Sequence, residues 1–135
     1  MVVKAAANWL LTPIGLFGVL MLGMAAAPEK VPPALAKKFG SVVAVWSEAI
    51  GTSIPPRAFF GFFGACQLSG VLALHGAFGA ALGTAANACF LVHLSGAVYT
   101  RVKLGEPLVP PIACLAIAAA RLAVDVSMGG DKKTA

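Results

Sequence analysis

Polar side chains are rare in the long apolar stretches of this chain, and three of them have the chemistry to contact a ligand. Gln67 lies in the second stretch, and Asn87 and His93 lie in the third. An unpaired polar group in lipid costs several kcal/mol, so each needs a partner. Hydrogen bonding between helices is the expected role of the two amides. His93 stays open between a core histidine, a proton relay, a quinone contact and a pigment ligand.

If a cofactor binds, these same three residues are the candidate contacts, with quinone and chlorophyll as the cofactors considered. Other catalytic patterns are missing from the sequence. It contains no set of paired carboxylates within an apolar stretch, no Ser/His/Asp set and no glycine-rich loop after a strand. Cys66, Cys89 and Cys114 occur singly, without a CxxC or metal-ligand spacing. We therefore predict no enzymatic activity and no metal site, and we interpret the cysteines as small apolar packing residues.

The elements that position these residues follow from hydropathy. Of the 135 residues, 59% are hydrophobic and 11% are charged, and the apolar residues form four blocks at about 9–27, 57–75, 78–100 and 109–126. A helix needs about 20 apolar residues to cross a bilayer, with about 17 as a minimum. Backbone groups inside lipid must also pair within the segment. The sequence predicts an all-α integral membrane four-helix bundle, with residues 1–135 forming one domain.

A different pattern occurs between the first two blocks, at about 34–50. Apolar residues recur there at intervals of three and four among charged ones, which is typical of an amphipathic helix lying in the membrane interface. We predict that aromatic and basic residues in and near the connections lie at the lipid interface. These residues are Lys37, Lys38, Trp46, Arg57, Tyr99 and Arg101. Residues 127–135 are predicted to form a polar tail.

Two details concern the first block. Thr12-Pro13 either begins the helix or kinks a helix that began earlier. The block ends in an alanine-rich run before Pro28, which imitates a signal peptide and its cleavage site. We expect the segment to be retained as a membrane helix.

Small residues indicate where helices approach each other, because association in lipid depends on close packing. Gly64 and Gly70 lie in the second block. Gly79 and Gly83 form a GxxxG on the same helical stripe as His93, so we predict that this stripe faces another helix. Arg121 and Asp125, four residues apart, are interpreted as a terminal ion pair that reaches the interface, and His75 as an interfacial residue in a turn.

The basic residues indicate lipid rather than nucleic acid as a partner. They are scattered through connections and tails and form no stripe with interleaved aromatics. The first and third connections contain six of them, whereas the opposite side contains Lys4, Lys132 and Lys133. The positive-inside rule then places both termini opposite the cytosolic, matrix or stromal side. The organelle stays open among the mitochondrial inner, thylakoid and endoplasmic reticulum membranes.

The order of several short motifs resembles the DoxX-like family of four-helix membrane proteins, most closely its branch that contains the acetylcholine-receptor chaperone NACHO. The matching positions are Arg57, the 64–70 run GACQLSG, His93, Gly105-Glu106-Pro107 and Arg121-Leu122. The resemblance implies a bundle of this size, in a family that includes a receptor-assembly chaperone and subunits of thiosulfate:quinone oxidoreductase. The family commonly has a glutamate where this chain has Gln67.

Together these observations predict a non-catalytic accessory or assembly subunit that packs against a larger membrane complex, with lipids and other integral membrane subunits as partners. Two alternatives remain open. One is a quinone-linked redox subunit that uses His93 with Gln67 or Asn87. The other is a pigment-contacting accessory subunit of a respiratory or photosynthetic supercomplex.

Overall fold

Five α-helices account for most of the chain. The computed structural model describes residues 2–130, and these form α1 (Val2–Ala26), α2 (Pro33–Ile50), α3 (Pro56–Leu74), α4 (Ala80–Leu104) and α5 (Val109–Gly130), with a short 3-10 helix at Pro28–Lys30. No strand occurs among the described residues. Among the described residues, four helices are long and apolar enough to cross a membrane, and their spans are Val2–Ala26, Pro56–Leu74, Ala81–Leu104 and Val109–Ser127. The all-α four-helix membrane fold is thereby confirmed.

The first spanning helix begins at Val2, seven positions before the predicted block, and continues through Pro13. The alternative that the helix starts at Thr12-Pro13 is therefore wrong. Lys4 and Asn8 make the first turns look too polar for a span, but both find partners in the bundle. The Thr12 hydroxyl donates to the carbonyl of Asn8 at 3.0 Å, one turn back. α5 also continues beyond the predicted start of the tail, and Lys132 and Lys133 lie outside the described residues.

The spanning helices form a closed ring in which α1 packs on α3 and α5, and α4 packs on the same two helices. The tightest approach is between α1 and α3. A Cβ atom built on Gly18 would lie 2.8 Å from the carbonyl oxygen of Gly64, and one built on Gly64 would lie 2.8 Å from the carbonyl oxygen of Gly18. Because lipid offers little hydrophobic driving force, this backbone-to-backbone contact is a main source of attraction between the helices.

The amphipathic helix α2 packs on α3 and α4 at the end of the bundle where α1 ends and α3 begins. Its buried residues are Phe39 and Val43. The Phe39 ring meets the Phe60 ring edge-on at a centroid distance of 5.6 Å. α2 stops at Gly51, whose φ of 75° is in the left-handed region that glycine adopts without strain. The aromatic contacts show that α2 covers the bundle, and its depth in the membrane stays a prediction.

The outer surface of the four spans is apolar. Large side chains that are more than half exposed include Trp9, Leu16, Phe62, Val92 and Val109. In water such a surface would be an aggregation hazard, whereas in a bilayer it is the expected surface. The structure thus agrees with a small multi-pass membrane protein in contact with lipid.

Candidate functional site

Gln67 of α3 and His93 of α4 form a direct pair inside the bundle. Gln67 Nε2 lies 2.7 Å from His93 Nε2, and the glutamine is only 4% exposed. In this arrangement the amide donates a hydrogen bond to an unprotonated imidazole nitrogen, and the neutral ring then carries its proton on Nδ1. The Phe63 ring lies beside the imidazole at a centroid distance of 5.3 Å. The structure therefore brings together two of the three predicted ligand contacts.

One polar atom of the Gln67–His93 pair has no hydrogen-bond partner in the part of the chain that the structure describes. Gln67 Oε1 is buried and has no hydrogen-bond partner among the described residues. Turning the amide by half a rotation would let Oε1 accept from the protonated Nε2 of His93 and would leave the amide nitrogen free instead. One amide group stays unpaired in either orientation. The unpaired group is a hydrogen-bond acceptor in the first orientation and a donor in the second.

A cavity of about 310 Å³ lies next to this pair. Gln67 and His93 line it on α3 and α4. Aromatic and apolar side chains of α1, α2 and α3 form much of its remaining wall: Phe17, Met21, Phe39, Trp46, Phe59 and Phe63. Small-molecule sites are typically apolar clefts with a few converging polar groups, and this cavity has that composition.

The cavity also reaches a cluster of charges at the end of α4, which we call the charged mouth: Lys38, Arg101 and Glu106. Glu106 lies 3.5 Å from the Lys38 ammonium and 3.8 Å from the Arg101 guanidinium. Both separations exceed the distance of about 2.7–2.9 Å that is typical of a charge-assisted hydrogen bond. The mouth therefore contains two cations that loosely share one carboxylate.

A second recess, of about 340 Å³, lies between α3 and α4. Gln67 and His93 line it as well, so the pair stands between two spaces. Cys66 and Cys89 also line the recess, and both are exposed in the protein rather than packed inside it. The interpretation of these two cysteines as packing residues is wrong, because both side chains are exposed. No metal-binding group of three His, Cys, Asp or Glu residues occurs in the described part of the chain.

A separate polar network joins α1, α4 and α5 at the other end of the bundle. Arg121 is 1% exposed, and its guanidinium lies 2.7 Å from Asp125. The Arg121 Nε donates to Asn8 Oδ1 at 2.6 Å. The same carboxylate of Asp125 pairs with Lys4 at 2.6 Å and accepts from the Thr84 hydroxyl at 3.2 Å. We refer to these five residues as the arginine network.

The arginine network corrects the prediction that Arg121 and Asp125 reach the interface. Both side chains are almost fully buried in protein, at 1% and 4% exposure. Asn8 also donates to the carbonyl oxygen of Leu74 at 2.6 Å, which ties α3 into the same network. His75 is exposed at the end of α3, and its Nε2 lies 3.0 Å from the Thr12 hydroxyl. The spacing of Arg121 and Asp125 revealed their pair, but nothing in it revealed Lys4 or Asn8 as partners.

The third predicted ligand contact, Asn87, lies elsewhere. It is fully buried, and its amide donates to the carbonyl of Ala118 on α5 at 2.8 Å. Asn87 lines neither the cavity nor the second recess. Asn87 lies on the face of α4 that packs against α5, and its Oδ1 is buried without a hydrogen-bond partner among the described residues, so its role as a cofactor contact stays a prediction.

The predicted packing glycines differ in their surroundings. Gly64 meets α1 as described, a Cβ on Gly70 would lie 2.8 Å from the Phe90 ring, and one on Gly83 would lie 3.0 Å from the carbonyl of Ala73. Gly79 contacts nothing within 4 Å. The prediction for Gly79 is wrong because the residue precedes α4 and its φ of 86° serves the turn. The approach of Gly18 to α3 was not predicted from the sequence.

The predicted interface residues also differ. Lys37 and Arg57 are exposed, and Tyr99 is 40% exposed with the Lys103 ammonium 5.8 Å above its ring. The Trp46 ring packs into the bundle, and its depth in the membrane stays a prediction. A Cβ atom built on Gly96 of α4 would lie 2.8 Å from the indole. The Trp46 ring therefore forms part of the cavity wall, and the sequence pattern of α2 did not distinguish this from an interfacial position.

No protein-family model, no curated protein and no solved structure matches this chain. The cavity and its side chains are therefore the basis for the proposed function.

Proposed function

We propose that this protein binds an amphiphilic small molecule within the membrane and acts without catalysis of its own. The observation that carries the proposal is the unpaired, buried amide oxygen of Gln67 beside an aromatic-lined cavity. A buried polar atom without a partner is destabilising by about 1–3 kcal/mol, and a ligand that satisfies it removes that penalty. A hydroxyl or carbonyl group of the ligand is held by Gln67 and His93, and its apolar body lies against the aromatic rings.

The dimensions of the cavity favour a compact ligand. Its volume of about 310 Å³ is at the lower end of the range for small-molecule sites, about 300–1,000 Å³. A single-ring head group, as in a quinone, suits this volume better than a chlorophyll macrocycle does. His93 Nε2 is also engaged by Gln67, which makes it a poor magnesium ligand as it stands. The quinone alternative thus has more support than the pigment alternative.

Binding rather than turnover is proposed because of what surrounds the imidazole. Among the described residues that line the cavity, the carboxylate is Glu106, which is paired with Lys38 and Arg101 at the mouth. Gln67 supplies an amide where an acid or base would be needed to orient or deprotonate a reacting group. The pair can recognise a polar group and lacks an acid–base partner for chemistry on it.

The test measures binding of a short-chain quinone, decylubiquinone, to protein purified in a nonionic detergent. In a Trp9→Phe background, Trp46 is the remaining tryptophan, and its ring lies in the cavity wall. Its fluorescence should be quenched by the quinone. Gln67→Leu and His93→Leu should each weaken binding about tenfold, since each removes hydrogen bonding worth about 1–2 kcal/mol.

The matched control is His75→Leu, which removes an exposed histidine that lines neither space. This variant should bind the quinone as the parent does. Unchanged affinity in Gln67→Leu and His93→Leu, or the same loss in His75→Leu, would contradict the proposal.

A second candidate function, that of an accessory or assembly subunit, is favoured by the outer face of α5. Ala113, Ala116, Ala120 and Ala123 share one side of this helix and are all exposed. Small residues at such spacing let another helix approach closely, whereas they contribute little to packing against lipid chains. We propose that this face contacts a helix of another membrane subunit, as membership of the DoxX-like family would also imply.

The accessory role is tested by native mass spectrometry of complexes extracted gently from the membrane. Ala116→Leu with Ala120→Leu should release the chain from its complex, because two added isobutyl groups separate the helices. Ala65→Leu, at an exposed position on α3, is the matched control and should leave the complex intact. Retention of the complex in the double variant would exclude this face as the contact.

A further inference from the structure

The charged mouth and the Gln67–His93 pair both belong to the lining of the cavity. On α4, Arg101 lies roughly two helical turns beyond His93, about 12 Å along the helix axis. Apolar and aromatic side chains occupy the wall in addition to these groups. A molecule that fills the cavity therefore has a polar group at the inner pair, an apolar body, and a second end beside Lys38 and Arg101.

The charges at the mouth are incompletely balanced. Lys38 and Arg101 contribute two positive charges against the single carboxylate of Glu106. Their ion pairs measure 3.5 and 3.8 Å, compared with 2.6 and 2.7 Å for the two ion pairs of Asp125 in the arginine network. The Lys38 side chain is also 56% exposed. These cations are free to exchange one anionic partner for another.

The backbone holds Glu106 next to the cations. Gly105 ends α4 with a φ of 65°, and the Glu106 amide then donates to the carbonyl of Arg101 at 2.9 Å. The Arg101 guanidinium donates to the carbonyl of Pro107 at 2.9 Å. Arg101 is therefore positioned by the chain itself as well as by Glu106, and it keeps its place when Glu106 gives way to a ligand.

We infer that the ligand of this cavity is an amphiphile with an anionic head group, a carboxylate or a phosphate, which Lys38 and Arg101 bind in competition with Glu106. This inference rests on the proposed binding function and names its ligand class. The apolar chain of the ligand enters the aromatic cavity, and a polar group near its inner end reaches Gln67 and His93. Charge complementarity at the mouth distinguishes this class from neutral lipids.

The experiment compares palmitate, palmityl phosphate and uncharged palmityl alcohol as ligands of the detergent-purified protein, again read by Trp46 fluorescence. Both anions should bind at least about tenfold more tightly than the alcohol, since a hydrogen bond to a charged group contributes about 1.5–3 kcal/mol. The order of palmitate and palmityl phosphate separates a fatty-acid head group from a lipid phosphate, and either order supports the inference. Equal binding of all three, or binding of none, would overturn it, whereas the decylubiquinone measurement decides the proposed function separately.

Three variants locate the effect. The double variant Lys38→Gln, Arg101→Gln should abolish the preference for the anions. The control is Lys37→Gln with Lys103→Gln, which removes the same charge from exposed positions outside the cavity lining. This control should preserve the preference for the anions. Glu106→Gln should tighten palmitate binding several-fold, because the competing carboxylate is gone. If Glu106 only stabilised the structure, the Glu106→Gln variant would not bind palmitate more tightly. Displacement of palmitate by inorganic phosphate at similar concentration would assign the cations to a surface anion site and would overturn the inference.

Discussion

The arginine network and the Gln67–His93 pair are both polar clusters inside an apolar bundle, yet they differ in how completely their atoms are paired. In the network, Arg121, Asp125, Lys4, Asn8 and Thr84 bond to one another or to backbone carbonyls across four helices. The pair keeps an unsatisfied amide oxygen and borders two open spaces. A fully paired cluster holds helices together, whereas an underpaired cluster beside a cavity is suited to binding.

The largest expected effect comes from breaking the network at its centre. Arg121→Leu leaves Asp125 with the partly exposed Lys4 and leaves Asn8 without its donor. Removing one partner of a buried ion pair destabilises by about 3–5 kcal/mol. We expect a large fall in the denaturation midpoint measured in detergent. Arg101→Leu, which removes a partly exposed arginine, should change stability by about 1 kcal/mol or less. Similar losses in the two variants would contradict a structural role specific to the network.

A smaller loss is expected where α1 crosses α3. Gly18→Ala places a methyl group 2.8 Å from the carbonyl oxygen of Gly64, and backbone atoms cannot move aside as a side chain does. Overpacking of this kind destabilises by about 1–3 kcal/mol. Gly61→Ala is the control, because its Cβ would have a neighbour only at 3.9 Å. Thermal denaturation of the two proteins in detergent makes the comparison, and equal midpoints would show that the crossing is loose.

The Gln67–His93 pair should behave in the opposite way to the network. Replacing both residues with leucine removes an unsatisfied buried atom, and exchanging both hydrogen-bond partners for apolar groups is nearly neutral. We expect the double variant to keep its denaturation midpoint, with a change within about 1 kcal/mol, while it loses quinone binding. A strong loss of stability would instead make this pair a second structural cluster.

The smallest effect concerns the charged mouth. Lys38→Gln breaks an ion pair of 3.5 Å in which the lysine is more than half exposed. Such pairs contribute about 0–1 kcal/mol, so the denaturation midpoint should barely move. Anion binding should nevertheless weaken in the same variant. A shift of both quantities together would indicate that Lys38 holds α2 in place rather than binding a ligand.

Residues that one sequence pattern groups together are separated in the structure. Asn87 and His93 lie on neighbouring stripes of α4. In the structure, however, Asn87 contacts α5 and His93 contacts α3. Gly79 fits a GxxxG pattern, yet the helix begins after it. The periodicity of a helix identifies residues that share a face. It does not identify which neighbouring helix that face meets, because the neighbours come from distant parts of the chain.

The sequence by itself determined that lipid surrounds this protein, that four helices are long enough to cross the membrane, and that an amphipathic helix lies between the first two. These properties depend on hydropathy and on hydrogen bonds within each helix, so they are local. Only the tertiary structure decided that Arg121 is buried with Lys4 and Asn8, that Gln67 meets His93, and that Trp46 lines a cavity. Those contacts depend on the rotation and register of helices against one another, and close packing sets both only when all the helices are assembled.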